Sequence, residues 1–152
     1  MSDFTLDSKL ANDCFVLGSL TSSQLLLMNN SLVPWFILVP QVNVTELYQL
    51  DHAIQADLQE EINQLSEFIS QEFQSDKLNV AALGNIVSQL HVHVVGRKKS
   101  DFCWPNVVWG AEQQEEYSKR QVQSIVLKLK DALSMFKPAT LEDYSVETNH
   151  SK

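Results

Sequence analysis

Seven residues, Gln89-Leu90-His91-Val92-His93-Val94-Val95, lead directly into Gly96-Arg97 and hold the chain's most promising chemistry. They alternate: Leu90, Val92 and Val94 share one face of a strand, and Gln89, His91 and His93 share the other. Same-face neighbours on a strand put the two imidazoles roughly 6.5–7 Å apart. The apolar face behind them holds the polar groups still, as a catalytic site requires. A neutral imidazole is a good nucleophile toward phosphorus if one ring nitrogen is free and the other holds the proton. A backbone carbonyl can accept that proton's hydrogen bond and so set the tautomer. The second histidine can donate to a phosphate oxygen or protonate a leaving group. Gln89 can place an amide alongside, and backbone N–H groups around Gly84-Asn85 can hold anionic oxygens.

The same His-x-His pair also suits a metal ion. Position 95 is valine, however, where a His-x-His-x-Asp metallohydrolase has aspartate. No glutamate follows within a few residues, and further ligands would have to come from distant positions such as His52 or Asp101. His52 reads as a residue at the exposed start of a helix, and His150 as a solvated residue near the C-terminus.

The 152 residues suggest one domain, residues 1–137, followed by a polar, flexible tail over residues 138–152. The net charge of −8 argues against non-specific DNA or RNA binding, which depends on neutralising phosphates. A small anionic ligand needs only a few donors in one cleft and is not excluded. The longest apolar stretch, residues 32–39, is too short to span a membrane and contains Pro34. The N-terminus lacks the pattern of a secretory signal, so a cytoplasmic protein is expected, with Cys14 and Cys103 as free thiols.

The elements that must position the histidines follow from periodicity. Thr5–Asp13 reads as a short helix. Cys14–Leu17 reads as a strand closed by Gly18-Ser19, and Ser23–Met28 and Trp35–Val39 as two more. Their short spacing suggests antiparallel neighbours. Asp51 can cap a long helix in which Ile54, Leu58, Ile62, Leu65, Ile69 and Phe73 recur at helical spacing. Asp57, Glu60, Glu61, Gln64 and Glu67 then form its solvated face. Lys77–Leu83 and the histidine strand, reaching to about Lys98, make a hairpin-like unit through Gly84-Asn85. Arg97-Lys98-Lys99 reads as a strand end in water. Trp104 and Trp109 belong to an aromatic loop that packs on the sheet or on a partner. A second long helix is expected from about Ala111 to Lys137, with Glu112, Glu115 and Glu116 at its positive end. Five strands and two main helices, with little β-α-β alternation, define an α+β domain with an antiparallel sheet.

Gln89-Leu90-His91-Val92-His93-Val94-Val95 resembles the histidine triad (HIT) signature, His-φ-His-φ-His-φ-φ, with φ apolar. Gln89 stands where the first histidine would be, and His91 and His93 match the second and third. Asn79 and then Gly84-Asn85 resemble the family's preceding strand and turn. Val33-Pro34-Trp35-Phe36-Ile37-Leu38-Val39-Pro40 resembles its Pro-Gly-His-φ-Leu-Val-x-Pro strand, with Phe36 taken as the replacement for that strand's histidine. The segment from Trp104 to Gly110 is similar to a bacterial branch of the family.

The resemblance implies a HIT-like fold, a two-fold homodimer and a nucleotide substrate, with dinucleoside polyphosphate hydrolases as the nearest functional likeness. It implies a nucleotidyl-histidine formed on His91, with no metal or other cofactor required, and His93 binding the phosphate or protonating the leaving group. Gln89 would stand in for the missing histidine. Asn79 and Asn85 would hold phosphate oxygens or orient His93, and Asn29 would meet the ribose. A nucleotide-binding module without turnover and a His-x-His metal protein are the rival readings.

Overall fold

The computed structural model describes residues 3–139. Six strands form one antiparallel sheet: β1 (Cys14–Ser19), β2 (Ser23–Met28), β3 (Trp35–Pro40), β4 (Lys77–Ala81), β5 (Val92–Arg97) and β6 (Lys137–Pro138), in the order β4-β5-β3-β2-β1-β6. Helices α1 (Ser8–Asp13), α2 (His52–Glu72) and α3 (Lys119–Ala132) complete the α+β architecture, with a single 3-10 turn at Leu47–Gln49. Among the described residues, no helix is long and apolar enough to cross a membrane.

The sheet separates two apolar clusters. On one side Leu25, Leu27, Phe36, Leu38, Val92 and Val94 pack with Leu65 and Ile69 of α2 and with Ile125 and Leu129 of α3. On the other, Leu26, Trp35, Ile37, Val39 and Val95 pack with Leu10, Val87 and Val108, bordered by Phe4, Leu6 and Trp109. Every residue of β3 is therefore buried, because both of its faces are covered. Asp51 caps α2 as its carboxylate accepts from the Ile54 amide at 2.9 Å.

The second long helix is shorter than periodicity suggests. It starts at Lys119, so Glu112, Glu115 and Glu116 do not sit on its first turn. The turn after β2 holds the preceding segment extended: Asn29 Oδ1 accepts from Tyr117 N at 2.9 Å, and Asn30 Oδ1 from Glu115 N at 3.2 Å. Ser118 then caps the helix, sharing a reciprocal pair of bonds with Gln121. The helix ends at Ala132, and Lys137–Pro138 pairs with Gly18 and Ser19 as the sixth strand. Gly18 permits this approach, since a Cβ there would collide with the Lys137 carbonyl. The expected tail thus begins inside the sheet, and its remainder from residue 140, with His150, lies outside the described residues.

Two charged residues expected in water are buried. Glu61 is fully enclosed: Oε2 accepts from Ser22 N at 2.9 Å and Ser23 N at 3.2 Å, and Oε1 from the Ser23 hydroxyl at 2.8 Å. It ties α2 to the start of β2. Arg97 is 1% exposed, whereas Lys98 and Lys99 are exposed as expected.

Candidate active site

The regular histidine strand starts at Val92, so His91 is the last residue of the incoming loop and His93 lies within the ladder opposite Ile37 and Ala81. The rings come closer than an ideal strand would allow, with centroids 4.9 Å apart and planes at 67°. His91 Nδ1 donates to the main-chain oxygen of Gln89 at 2.7 Å. A carbonyl can only accept, so the proton of neutral His91 is on Nδ1 and Nε2 carries a lone pair.

His93 is bonded differently. Its Nδ1 accepts from Trp35 Nε1 at 3.0 Å, and Trp109 meets its ring edge-on at 5.4 Å. Burial, followed by the neighbouring His91, lowers the His93 pKa to about 4. Each imidazole is only 6% exposed. His91 lines a cleft of about 320 Å³ with Thr45, Glu46, Tyr48, Leu83 and Gly84. A larger groove of about 590 Å³ shares Leu47, Tyr48 and Ala82 with it and runs between β4 and α2, past Leu58, Ile62 and Val80.

The other candidate residues are distributed around this pair. The Gln89 amide points away from the imidazoles: Oε1 accepts from Asp7 N at 2.9 Å, and Nε2 donates to Thr5 O at 2.8 Å. Its side chain anchors the N-terminal segment, and only its main chain meets His91. Asn79 accepts from Arg97 Nη1 at 3.0 Å, and Asn29 holds the Tyr117 amide. Asn85 is exposed beside Gly84 of the cleft wall. His52 is exposed at the first position of α2, and Asp101 is bound to Arg97. Among the described residues, no three His, Cys, Asp or Glu side chains gather as a metal-ligand set.

Phe36 does not face the site. It lies among Phe68 and Phe73, with centroids 6.3 and 6.2 Å away, on the helix side of the sheet. Trp35 faces His93 instead, because side chains alternate along β3 and Trp35 pairs with Val95. The signal was in the sequence: Trp35 is the third residue of Val33-Pro34-Trp35, at the histidine position of the motif, and Phe36 is the fourth. The loop carrying Trp109 is held by Arg97, whose guanidinium reaches Asp101 and the Asn106 carbonyl and lies 5.5 Å from the Trp104 ring centroid.

Together these features define an α+β protein with His91 at a cleft and an oppositely bonded His93 in ring contact behind it. The HIT domain model matches residues 9–100, and the chain belongs to the HIT family, which includes nucleotide-binding hydrolases and transferases. A solved histidine triad protein from Marinobacter aquaeolei is 41% identical, with a TM-score of 0.83 over 88% of this chain and 98% of its own. Another from Bradyrhizobium japonicum is 37% identical, with a TM-score of 0.82 over 86% and 98%. Plasmodium falciparum diadenosine triphosphate hydrolase shares the fold at 17% identity, with a TM-score of 0.59 over 88% of this chain and 84% of its own. No curated protein matches the chain.

Proposed function

We propose that the protein is a nucleotide phosphohydrolase that acts on a dinucleoside polyphosphate or a related nucleotide derivative through His91. The observation that carries this reading is the bond from His91 Nδ1 to the Gln89 carbonyl, which leaves Nε2 as the nucleophilic atom. Gln89 stands where the family motif has its first histidine, and this orienting contact survives the replacement because it uses the main chain. The Nε2 lone pair attacks the α-phosphorus; the N–P bond forms as the bond to the leaving phosphate oxygen breaks, and that oxygen keeps the electron pair. Water then attacks phosphorus, the N–P bond breaks, and a nucleoside monophosphate leaves with the water's oxygen.

Gly84 lines the cleft beside His91, and in this reading the Gly84-Asn85 backbone supplies N–H groups to phosphate oxygens. Asn79 and Asn29 are held through Oδ1 by Arg97 and Tyr117, and in this reading their amide N–H groups serve the phosphate and the ribose. The fold shared with a diadenosine triphosphate hydrolase supports a polyphosphate substrate. The free thiols of Cys14 and Cys103 suit the cytoplasm. The reading also includes a homodimer formed through β4, an edge strand whose exposed Val80 lies near the exposed Tyr48 and Leu83.

Incubation with a dinucleoside polyphosphate tests the proposal. Mononucleotide products and a nucleotidyl adduct, seen by intact mass after an acid-free quench, are expected and should vanish in His91→Ala. Equal rates for wild type and His91→Ala would overturn it. The second reading, binding without turnover, is favoured by the burial of both rings and by a cleft lining that, among the described residues, has Glu46 but no Lys or Arg. Tight nucleotide binding with neither product nor adduct would establish it.

A further inference from the structure

His91 and His93 are chemically identical side chains that receive opposite partners. The partner of His91 is an acceptor, the Gln89 carbonyl. The partner of His93 is a donor, the indole N–H of Trp35, 3.0 Å from Nδ1 and buried with it. An indole nitrogen can only donate, so Nδ1 of His93 must offer its lone pair. The proton of neutral His93 therefore sits on Nε2.

We infer that Trp35 is a positioning residue that holds His93 as a fixed Nε2–H donor, directing it to a non-bridging phosphate oxygen and away from acid catalysis of leaving-group departure. The role toward phosphate rests on the nucleotide-cleaving reading above; the tautomer does not. If neutral His93 gave up its Nε2 proton, a buried imidazolate would remain. If it took a second proton on Nδ1, two N–H groups would face each other and the Trp35 bond would be lost. A ring flip would turn carbon toward the Trp35 N–H and leave that donor unpaired in the interior.

The surroundings keep His93 in place. Trp109 meets His93 at 79° and Trp35 at 80°, with centroids 5.4 and 6.0 Å away. Arg97 holds the loop that carries Trp109. The titratable group in ring contact with His93 is His91; further along this face, Arg97 and Asp101 are paired with each other. The arrangement gives a lone pair on His91, at the cleft, for attack and an N–H on the adjoining His93 for charge developing on phosphate.

Long-range proton–nitrogen NMR on the ¹⁵N-labelled protein reads both tautomers without a substrate. The expected spectrum shows a pyridine-like Nδ1 and a pyrrole-like Nε2 for His93, the reverse for His91, and a scalar coupling from Trp35 Nε1 to His93 Nδ1 across the hydrogen bond. A proton on His93 Nδ1, or no such coupling, overturns the inference even if Trp35 variants fail to fold. Trp35→Phe should distribute His93 over both tautomers, whereas Trp109→Phe should leave the Nε2–H form intact. In turnover, Trp35→Phe should lower kcat about tenfold and change KM little, as expected for a hydrogen bond acting in the transition state. An unchanged kcat would overturn the positioning role. Absence of turnover in wild type, with the coupling present, would instead remove the hydrolase reading and leave the tautomer assignment standing.

Discussion

Arg97 and Asp101 form a two-point ion pair at the end of β5: Nε to Oδ2 at 2.7 Å and Nη2 to Oδ1 at 3.1 Å. Their side chains are 1% and 5% exposed. Burial alone would raise the Asp101 pKa, but the Arg97 hydrogen bond, with backbone bonds from Cys103 and Lys98, outweighs it and lowers the pKa. The remaining guanidinium donors hold Asn79 and the Asn106 carbonyl. The pair thereby fastens the aromatic loop that brings Trp109 to His93. Asp101→Ala would leave a buried, unpaired guanidinium and should cost about 3–5 kcal/mol. Urea unfolding is the check, and a midpoint equal to wild type would contradict the assignment. Arg97→Lys should also destabilise, because a point charge cannot reproduce the fork.

Sequence reading recovered what local chemistry decides. The Asp51 cap, the apolar run of β2 and the alternation around His91 and His93 depend on residues within a few positions of one another. It missed what distant partners decide. Glu61 sits in a helical charge run, and nothing near it announces that the Ser22 and Ser23 amides arrive from another element. Arg97 reads as the start of a basic strand end until Asp101 folds back on it. The late start of α3 depends on Asn29 and Asn30, more than eighty positions away. Trp35 is a different case: its place at the third position of the segment 33–40 was legible, while the register that sets it against His93 comes from the pairing of β3 with β5.

Gln89 offers a separation of side-chain and main-chain roles. Its amide makes two bonds to the N-terminal segment, while its carbonyl orients His91. Gln89→Ala removes the first pair and keeps the second. Amide exchange at Asp7 should accelerate, with a loss of about 1–3 kcal/mol of stability for two hydrogen bonds. His91 should retain its proton on Nδ1 by NMR. A His91 tautomer that changes in this variant would show that the side chain, and not the carbonyl, orients the ring.

His93 should make stability depend on pH. Its pKa falls from 6.5 to about 4 on folding, through burial and then His91. Between those values the unfolded chain binds a proton that the folded chain does not, so stability rises with pH. The contribution is complete above pH 6.5 and is lost as pH falls toward 4. Its full size is about 3 kcal/mol. Thermal unfolding at pH 7 and pH 4.5 should show a smaller loss for His93→Gln than for wild type. Equal losses would remove His93 as the cause.

The proposed dimer places its burden on β4. This strand pairs on one side with β5, and among the described residues no strand pairs with its other edge. An open, apolar edge invites pairing with another chain, and evolution usually blunts such edges with charge. Val80 leaves 47% of its surface exposed, and Tyr48 nearby leaves 80%. Pairing about a two-fold axis would satisfy the free backbone groups and cover both side chains. Val80→Lys would then set one cation from each subunit at the joint. Sedimentation should show wild type as a dimer and Val80→Lys displaced toward monomer, with the variant's helix and sheet content retained by circular dichroism. A wild-type chain that stays monomeric at every concentration tested would defeat the dimer reading and leave the chemistry assigned to His91, which lies within one chain, untouched.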